Sequence, residues 1–247
     1  MPFINPENGY LTVINLFKTD QLERVDRLVG EMSRIVDAAD YPGWLSSTVH
    51  RGIAKHGTLN FIQWRGRDDL GTRYQGSEFK HHTIPVFNQI STYMRLMQTE
   101  VEIAQRHPSQ GEATEISPTR DDYTVVEILG VAPGRQGDLV ASLGAAHDWL
   151  LEVPGYRSQS IMRGIRSRRP QRESGDLNTI GADNDFVVRY SQWDSPEAFG
   201  AFQALPEDQH STGRRESARR RLALVTETDW NGYRVVHTRS AQQPAAA

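Results

Sequence analysis

Apolar positions in this chain switch between a period of two and a period near 3.6, and the whole succession runs through twice. Residues 10–17 form a β-rich run that predicts a strand. Asp20 can cap a helix that carries Leu22, Val25, Leu28, Val29, Met32, Ile35 and Val36 at helical spacing. Pro42-Gly43 ends that connection, and residues 44–53 and 58–64 predict a hairpin around Lys55-His56-Gly57. Residues 79–93 read as mostly helical after a break at Pro85, and 97–104 as a closing strand. The second succession places strands at 123–130, 157–165, 186–193 and 230–238. Its helices fall at 136–151 and 196–205, with more helix to Arg221.

Sliding the sequence along itself shows why the order repeats. At an offset of 112 residues, Val13-Ile14 meets Val125-Val126 and Arg51-Gly52-Ile53 meets Arg163-Gly164-Ile165. At the same offset Pro42-Gly43-Trp44 meets Pro154-Gly155-Tyr156. Gln63-Trp64 meets Gln192-Trp193 at offset 129, so 17 extra residues lie between, in the arginine-rich stretch 166–184. A hairpin loop accepts such an insertion at small entropic cost, which makes a tolerated insertion the plainer reading of Arg166, Arg168, Arg169 and Arg172; covering a cavity mouth or contacting a partner is the alternative. The order strand–helix–strand–strand–helix–strand predicts two ferredoxin-like βαββαβ units in the α+β class. The expected division is 1–106 for the first domain, 107–121 for a polar linker, 122–240 for the second domain and 241–247 for a disordered tail. Each sheet has one bare, half-apolar face that must be covered. Two fused units can cover each other as an α+β barrel, or the faces can pair between chains as a homodimer.

Composition narrows the function. The net charge is −3 with a pI near 6.2, which argues against a nucleic-acid partner. No apolar run is long enough to cross a bilayer, and the start MPFINPENGY lacks a basic region followed by an apolar one, so a cytoplasmic protein without membrane contact is expected. Cysteine is absent, which excludes disulfides, thiolate metal sites and cysteine nucleophiles. No G-x-G-x-x-G stands between a strand and a helix, so a tightly held dinucleotide is not expected. Of 28 cationic residues, 25 are arginine; the run at 213–221 has Glu207, Asp208 and Glu216 nearby and reads as a solvated helix face.

Asn15 in the first strand, and Asn60 and Trp64 in the third, carry a resemblance. With the tandem layout they look like the antibiotic biosynthesis monooxygenase superfamily, which includes anthrone oxygenases. More narrowly, the chain resembles the two-domain angucycline ring-opening oxygenases of kinamycin, jadomycin and gilvocarcin-type pathways. The resemblance implies a metal-free oxygenase acting on a polycyclic aromatic polyketide with molecular oxygen as cosubstrate. No tightly bound cofactor is implied; reduced flavin (FAD) would serve as a diffusible reductant or cosubstrate, and a flavin reductase would be a partner. His50 matches a histidine of some members. Where some relatives carry a tyrosine after the tryptophan and an arginine in the next helix, this chain has Leu70 and Ile84. In the second copy Glu127 and Arg189 stand near the Asn15 and Asn60 positions and only Trp193 is kept, alongside a family-like WDSPEAF, so the first half reads as active and the second as degenerate. A haem-degrading enzyme of the same fold is the alternative, with Asn15, Trp64 and His81 or His82 in the corresponding roles; a non-catalytic or cyclase-like polyketide-binding barrel is another.

The residues themselves are compatible with the first reading. Residues 60, 62 and 64 share one face of a strand, and Asn15 can join them from its neighbour. His50 can join if the hairpin register brings it beside Asn60, which would gather the set inside the barrel. His50, or a water it orients, is then the expected base, Asn15 and Asn60 the amides that stabilise an oxyanion, and Trp64 the stacking wall. Substrate contacts are expected from Trp64, Ile62 and one of His81 and His82, since adjacent helical residues diverge by about 100°. Each residue also has a bland role. Asparagine can satisfy a buried backbone group, tryptophan is commonly core, and the two histidines suit a helix surface.

Overall fold

Period-two alternation builds eight strands whose two faces meet different partners. A computed structural model describes residues 2–171, 176–179 and 185–241. The first half contains β1 (Leu11–Lys18), α1 (Leu22–Asp37), β2 (Trp44–Gly52), β3 (Gly57–Trp64), α2 (Arg67–Gln75), a π-helical turn (Phe79–Thr83), α3 (Ile84–Ile90) and β4 (Tyr93–Arg106). The second contains β5 (Tyr123–Val131), α4 (Gln136–Gly144), α5 (His147–Leu150), β6 (Tyr156–Pro170), β7 (Phe186–Trp193), α6 (Pro196–Ala204), α7 (Thr212–Leu224) and β8 (Val225–Ser240). The order of these eight strands is β7-β5-β8-β2-β3-β1-β4-β6, β6 pairs back onto β7, and a short ninth strand, Leu177–Thr179, pairs with the end of β6. All pairs are antiparallel, so the molecule is a tandem ferredoxin-like α+β barrel closed within one chain.

The halves are joined mainly by residues within the predicted strands: 96–106 of β4 pair with 158–168 of β6, and 233–240 of β8 pair with 46–52 of β2. β8 also begins earlier than its hydrophobic pattern predicts, and its polar flank from Val225 to Asp229 pairs with β5 of the same half, which supplies the hydrogen-bond partners that an open edge would lack. Odd positions of β1 and even positions of β3 face the helices. Ile14, Leu16, Leu59 and Phe61 face inward, into a core completed by Val126, Ile128, Val188 and Tyr190 of the second half.

The duplication is visible in detail at one barrel end. Gln63 accepts a hydrogen bond from Ser46 (2.8 Å) and donates to the Phe3 carbonyl (3.0 Å). Gln192 accepts from Ser158 (2.7 Å) and donates to the Glu115 carbonyl (2.8 Å). Phe3–Ile4 pairs with Thr114–Glu115, so a short two-stranded ribbon covers this end. The stretch between the halves is therefore part of the barrel's closure as well as a connection.

Local signals were partly misleading. Asp20 does not cap α1: the N-cap is Gln21 without a side-chain bond, and Asp20 instead accepts from Arg24 at 3.3 Å. The helix read as continuous over 136–151 divides into α4 and α5. α2 lies in a polar stretch without apolar periodicity and has no counterpart in the sequence reading. Arg166, Arg168 and Arg169 lie in β6, whereas Arg172 and the tail 242–247 fall outside the described residues.

Candidate active site

The helix-facing surface of β1–β3 and the helices α1–α3 enclose a cavity of about 80 Å³. Its floor is set by register. Asn15 pairs with Asn60 across the β1–β3 ladder, which puts two carboxamides side by side on one face. Ile62 and Trp64 follow at period two and line the same space. Phe17, Phe87 and Leu96 add apolar walls, and α1 contributes Met32 and Val36. The cavity therefore lies outside the barrel, between sheet and helices, and not within the barrel as expected from the sequence.

Four residues that line this space carry a buried polar atom with no hydrogen-bond partner in the protein: the Asn15 and Asn60 Oδ1, the Trp64 Nε1 and the Tyr74 hydroxyl. An unpaired buried polar group costs about 1–3 kcal/mol, so four around one cavity mark a site built to meet a polar ligand. Because amide oxygen and nitrogen exchange by a flip, each asparagine can present either N–H or C=O.

Arg73 and Tyr74, on α2, are the residues that sequence reasoning missed. Leu70 and Ile84 do line the cavity as apolar groups, but one helical turn beyond Leu70 the Tyr74 ring stacks on Phe79 at 4.7 Å. Burial pushes the Tyr74 phenol well above its usual range, against the pull of Arg168 and Arg73, so it stays a donor. The Arg73 side chain is only 9% exposed and pairs with Glu78. Its guanidinium sits 4.3 Å from the Tyr41 ring centroid and donates to Thr83 Oγ1 at 3.2 Å. Tyr41 in turn stacks against Trp64, centroid to centroid 6.4 Å. The signal available in sequence was the i, i+4 pair Leu70 and Tyr74 within an otherwise polar segment.

Three histidines depart from expectation. Register pairs His50 with Leu59 and gives Val49 to Asn60, so His50 points the other way, into the barrel interior. It is fully buried there, with Nδ1 3.2 Å from the Thr48 carbonyl and Nε2 2.9 Å from the Tyr190 hydroxyl. Burial lowers its pKa to about 4. His50 is thus a neutral structural group, with Nδ1–H donating and Nε2 accepting, and it cannot touch a ligand in this cavity. His81 and His82 are exposed on the outer side of the π-helical turn, which aims Phe79 and Thr83 inward. Neither reaches the cavity, which removes the iron ligand that the haem reading needs. Among the described residues no group of three or more His, Asp or Glu is placed to hold a metal ion.

The second half treats the equivalent positions differently. Glu127 pairs with Arg189 in the register that joins Asn15 to Asn60 in the first half, and the two form an ion pair. Trp193 Nε1 donates to Ser191 Oγ at 3.1 Å and its ring is packed among Tyr156, Phe199 and Phe202, so nothing is left unpaired at that indole.

Comparison with known proteins agrees with this geometry. No family model matches the chain. A crystal structure of an anthrone oxidase-like protein superposes over 100% of both chains with a TM-score of 0.89 and 44% identity. The tetracenomycin-F1 monooxygenase of Streptomyces glaucescens is 30% identical over 92 residues, which are 37% of this chain and 67% of that protein. The chain belongs to the antibiotic biosynthesis monooxygenase superfamily, in tandem two-domain form. It is an oxygenase of that family. A staphylococcal regulator of pathogenesis, 9% identical with a TM-score of 0.50 over 92% of this chain and 99% of its own, shares the fold alone. Within this architecture, then, function is argued from the site and not from the barrel.

Proposed function

We propose that the first half oxidises a polycyclic phenol or hydroquinone of aromatic polyketide origin with molecular oxygen, and that the hydroquinones of angucycline-type quinones are its substrate class. The observation that carries this reading is the set of four unpaired buried polar atoms around one apolar cavity. An apolar chamber with convergent donors suits a flat aromatic ring that gains negative charge during reaction.

The ring lies between Trp64 and the apolar walls, with its oxygen at the Asn15–Asn60 pair. With His50 turned away, the cavity offers no histidine base, and the phenol's own acidity is raised by the groups around it. Amide N–H donors, the Trp64 indole N–H and the nearby Arg73 charge all favour the phenolate. The anion passes one electron to dioxygen, and the radical pair combines to form a carbon–oxygen bond. The proton released by the phenol passes to solvent water and returns from there to the peroxide, which the Tyr74 hydroxyl holds by a hydrogen bond. Loss of water then leaves a quinone carbonyl, so that phenol plus O₂ yields quinone plus H₂O. Rearrangement of the same peroxide before water is lost is the route to oxidative ring opening.

The narrow cavity supports flavin as a reductant of the substrate in solution and not as a second ligand beside it. The test is to reduce an angucycline-type quinone anaerobically, remove the flavin, add enzyme and admit oxygen. Product formation with flavin absent, and its loss in Asn60→Ala, is the expected result. Turnover that resumes only when reduced flavin is returned would overturn the reading.

A further inference from the structure

The second half carries a larger cavity at the place where the first half has its carboxamides. It measures about 410 Å³ and is lined by β5, β7, α6 and α7. We propose that it binds a planar aromatic anion, at a site separate from the oxygenase cavity.

The floor is the Glu127–Arg189 pair, which occupies the same ladder position as Asn15–Asn60. Glu127 is not balanced one to one. Arg221, from α7, donates to its Oε1 at 2.7 Å, while Arg189 binds Oε2. Burial alone would raise the Glu127 carboxyl, but the two guanidiniums outweigh it and hold the pKa below its usual value. Two cations on one carboxylate leave the floor with an excess positive charge. The arginine run read from sequence as a solvated face thus directs Arg221 inward.

A third cation raises that excess. Arg214 lies 4.3 Å from the Phe202 ring centroid and donates to the Phe202 carbonyl at 2.7 Å. It has no carboxylate partner among the described residues, and burial acts against its charge. A partly desolvated guanidinium with unused donors is poised for an anion. The walls are aromatic. Trp149 and Phe202 stack at 6.1 Å, and Phe199 lies 5.8 Å from Trp230. Flat rings at the walls, with cations at the floor and beside Phe202, recognise a flat ring that bears a negative group. A merely structural ion triad needs neither the open volume nor the third arginine.

Isothermal titration with anthraquinone-2-carboxylate and its uncharged carboxamide tests the proposal. The carboxylate is expected to occupy a site that survives Asn60→Ala/Trp64→Ala and weakens tenfold or more in Arg214→Gln. The carboxamide is expected to bind that site at least tenfold more weakly. FMN and riboflavin, run in parallel, distinguish a flavin phosphate from a polycyclic carboxylate as the natural source of this chemistry; a phosphate preference lost in Arg214→Gln assigns the flavin. Arg214 lies outside the Glu127 triad, so this variant keeps its fold, and turnover at the first cavity should be unchanged. Arg214-independent binding, equal affinity for carboxylate and carboxamide, or a single site lost in Asn60→Ala/Trp64→Ala would each overturn the inference without bearing on the oxygenase reading.

Discussion

Trp64 and Trp193 hold equivalent places, and their indole nitrogens show what each half is built for. Trp193 Nε1 has a partner in Ser191, whereas Trp64, a residue that lines the cavity, has a buried Nε1 without one. Replacing Trp193 by phenylalanine should therefore cost about 1 kcal/mol of stability and leave turnover alone. Trp64→Phe keeps a ring on the wall but removes the donor, so kcat should fall by about tenfold while thermal stability holds. Denaturation and steady-state kinetics on both variants check this crossed pattern. Asn15 and Asn60 act as a pair. Each alanine variant should lower kcat by roughly 10² to 10³, and the double variant by less than the product, because one amide alone no longer orients the oxyanion. The Asn60–Trp64 face was legible in sequence because strand periodicity is fixed at two. His50 was not, because the β2–β3 register there is set by the turn that joins the two strands, which the apolar pattern does not fix. One residue of slip exchanges Val49 for His50 on the cavity face.

At the scale of elements, the short helix α2 decides access. Arg73 and Tyr41 line both the inner cavity and an outer cleft of about 490 Å³, so their stacked pair is the partition between the two. Ligand pockets for drug-sized molecules span about 300–1,000 Å³, which the inner cavity reaches only if that partition moves. Glu78 pairs with Arg73 and holds it in place. Glu78→Gln should loosen the partition and raise the substrate association rate several-fold in stopped-flow binding, with little change in kcat. An unchanged rate would mean that the wall is not the barrier. The turn before β2 constrains the same corner. Gly43 has φ +76°, and a Cβ there would run into the Asp69 side chain on α2. Its counterpart Gly155, at φ +80°, would meet Ala198 at 2.5 Å on α6. The repeated Pro-Gly was readable as a turn, but its second duty, letting a helix approach closely, was not. α2 itself escaped notice because its residues are polar and only Leu70 is deeply buried; what holds it is packing against the sheet, which no local pattern announces.

Across the whole molecule, closure of the barrel creates a polar link between the halves that the duplication alone did not foretell. His50 of β2 reaches Tyr190 of β7 across the interior, and Tyr233 of β8 lies edge-on to the same imidazole at 6.2 Å. Sequence patterning predicted two sheets with bare faces. It could not say that a histidine of one and a tyrosine of the other would meet there, because that depends on the β8–β2 and β4–β6 ladders together. The link has a consequence in acid. His50 titrates near 6.5 when unfolded and at about 4 in the folded barrel, through burial. Between those values the unfolded chain binds a proton that the native state refuses, so stability falls as pH drops from 6.5 toward 4. The full effect is about 3 kcal/mol, since each tenfold loss of proton affinity on folding is worth roughly 1.4 kcal/mol. Tyr190 and Tyr233 are raised by burial and stay protonated, so they add nothing in this window. Glu127, held below its usual value, contributes its own loss only at more acid pH, as its carboxylate becomes protonated. Chemical denaturation from pH 8 to pH 4 should show a plateau that bends downward near 6.5. His50→Gln should flatten that limb, since it removes the titrating group while keeping a partner for Tyr190. A limb that persists in His50→Gln would place the acid sensitivity in a carboxylate network and remove the interior imidazole from the account.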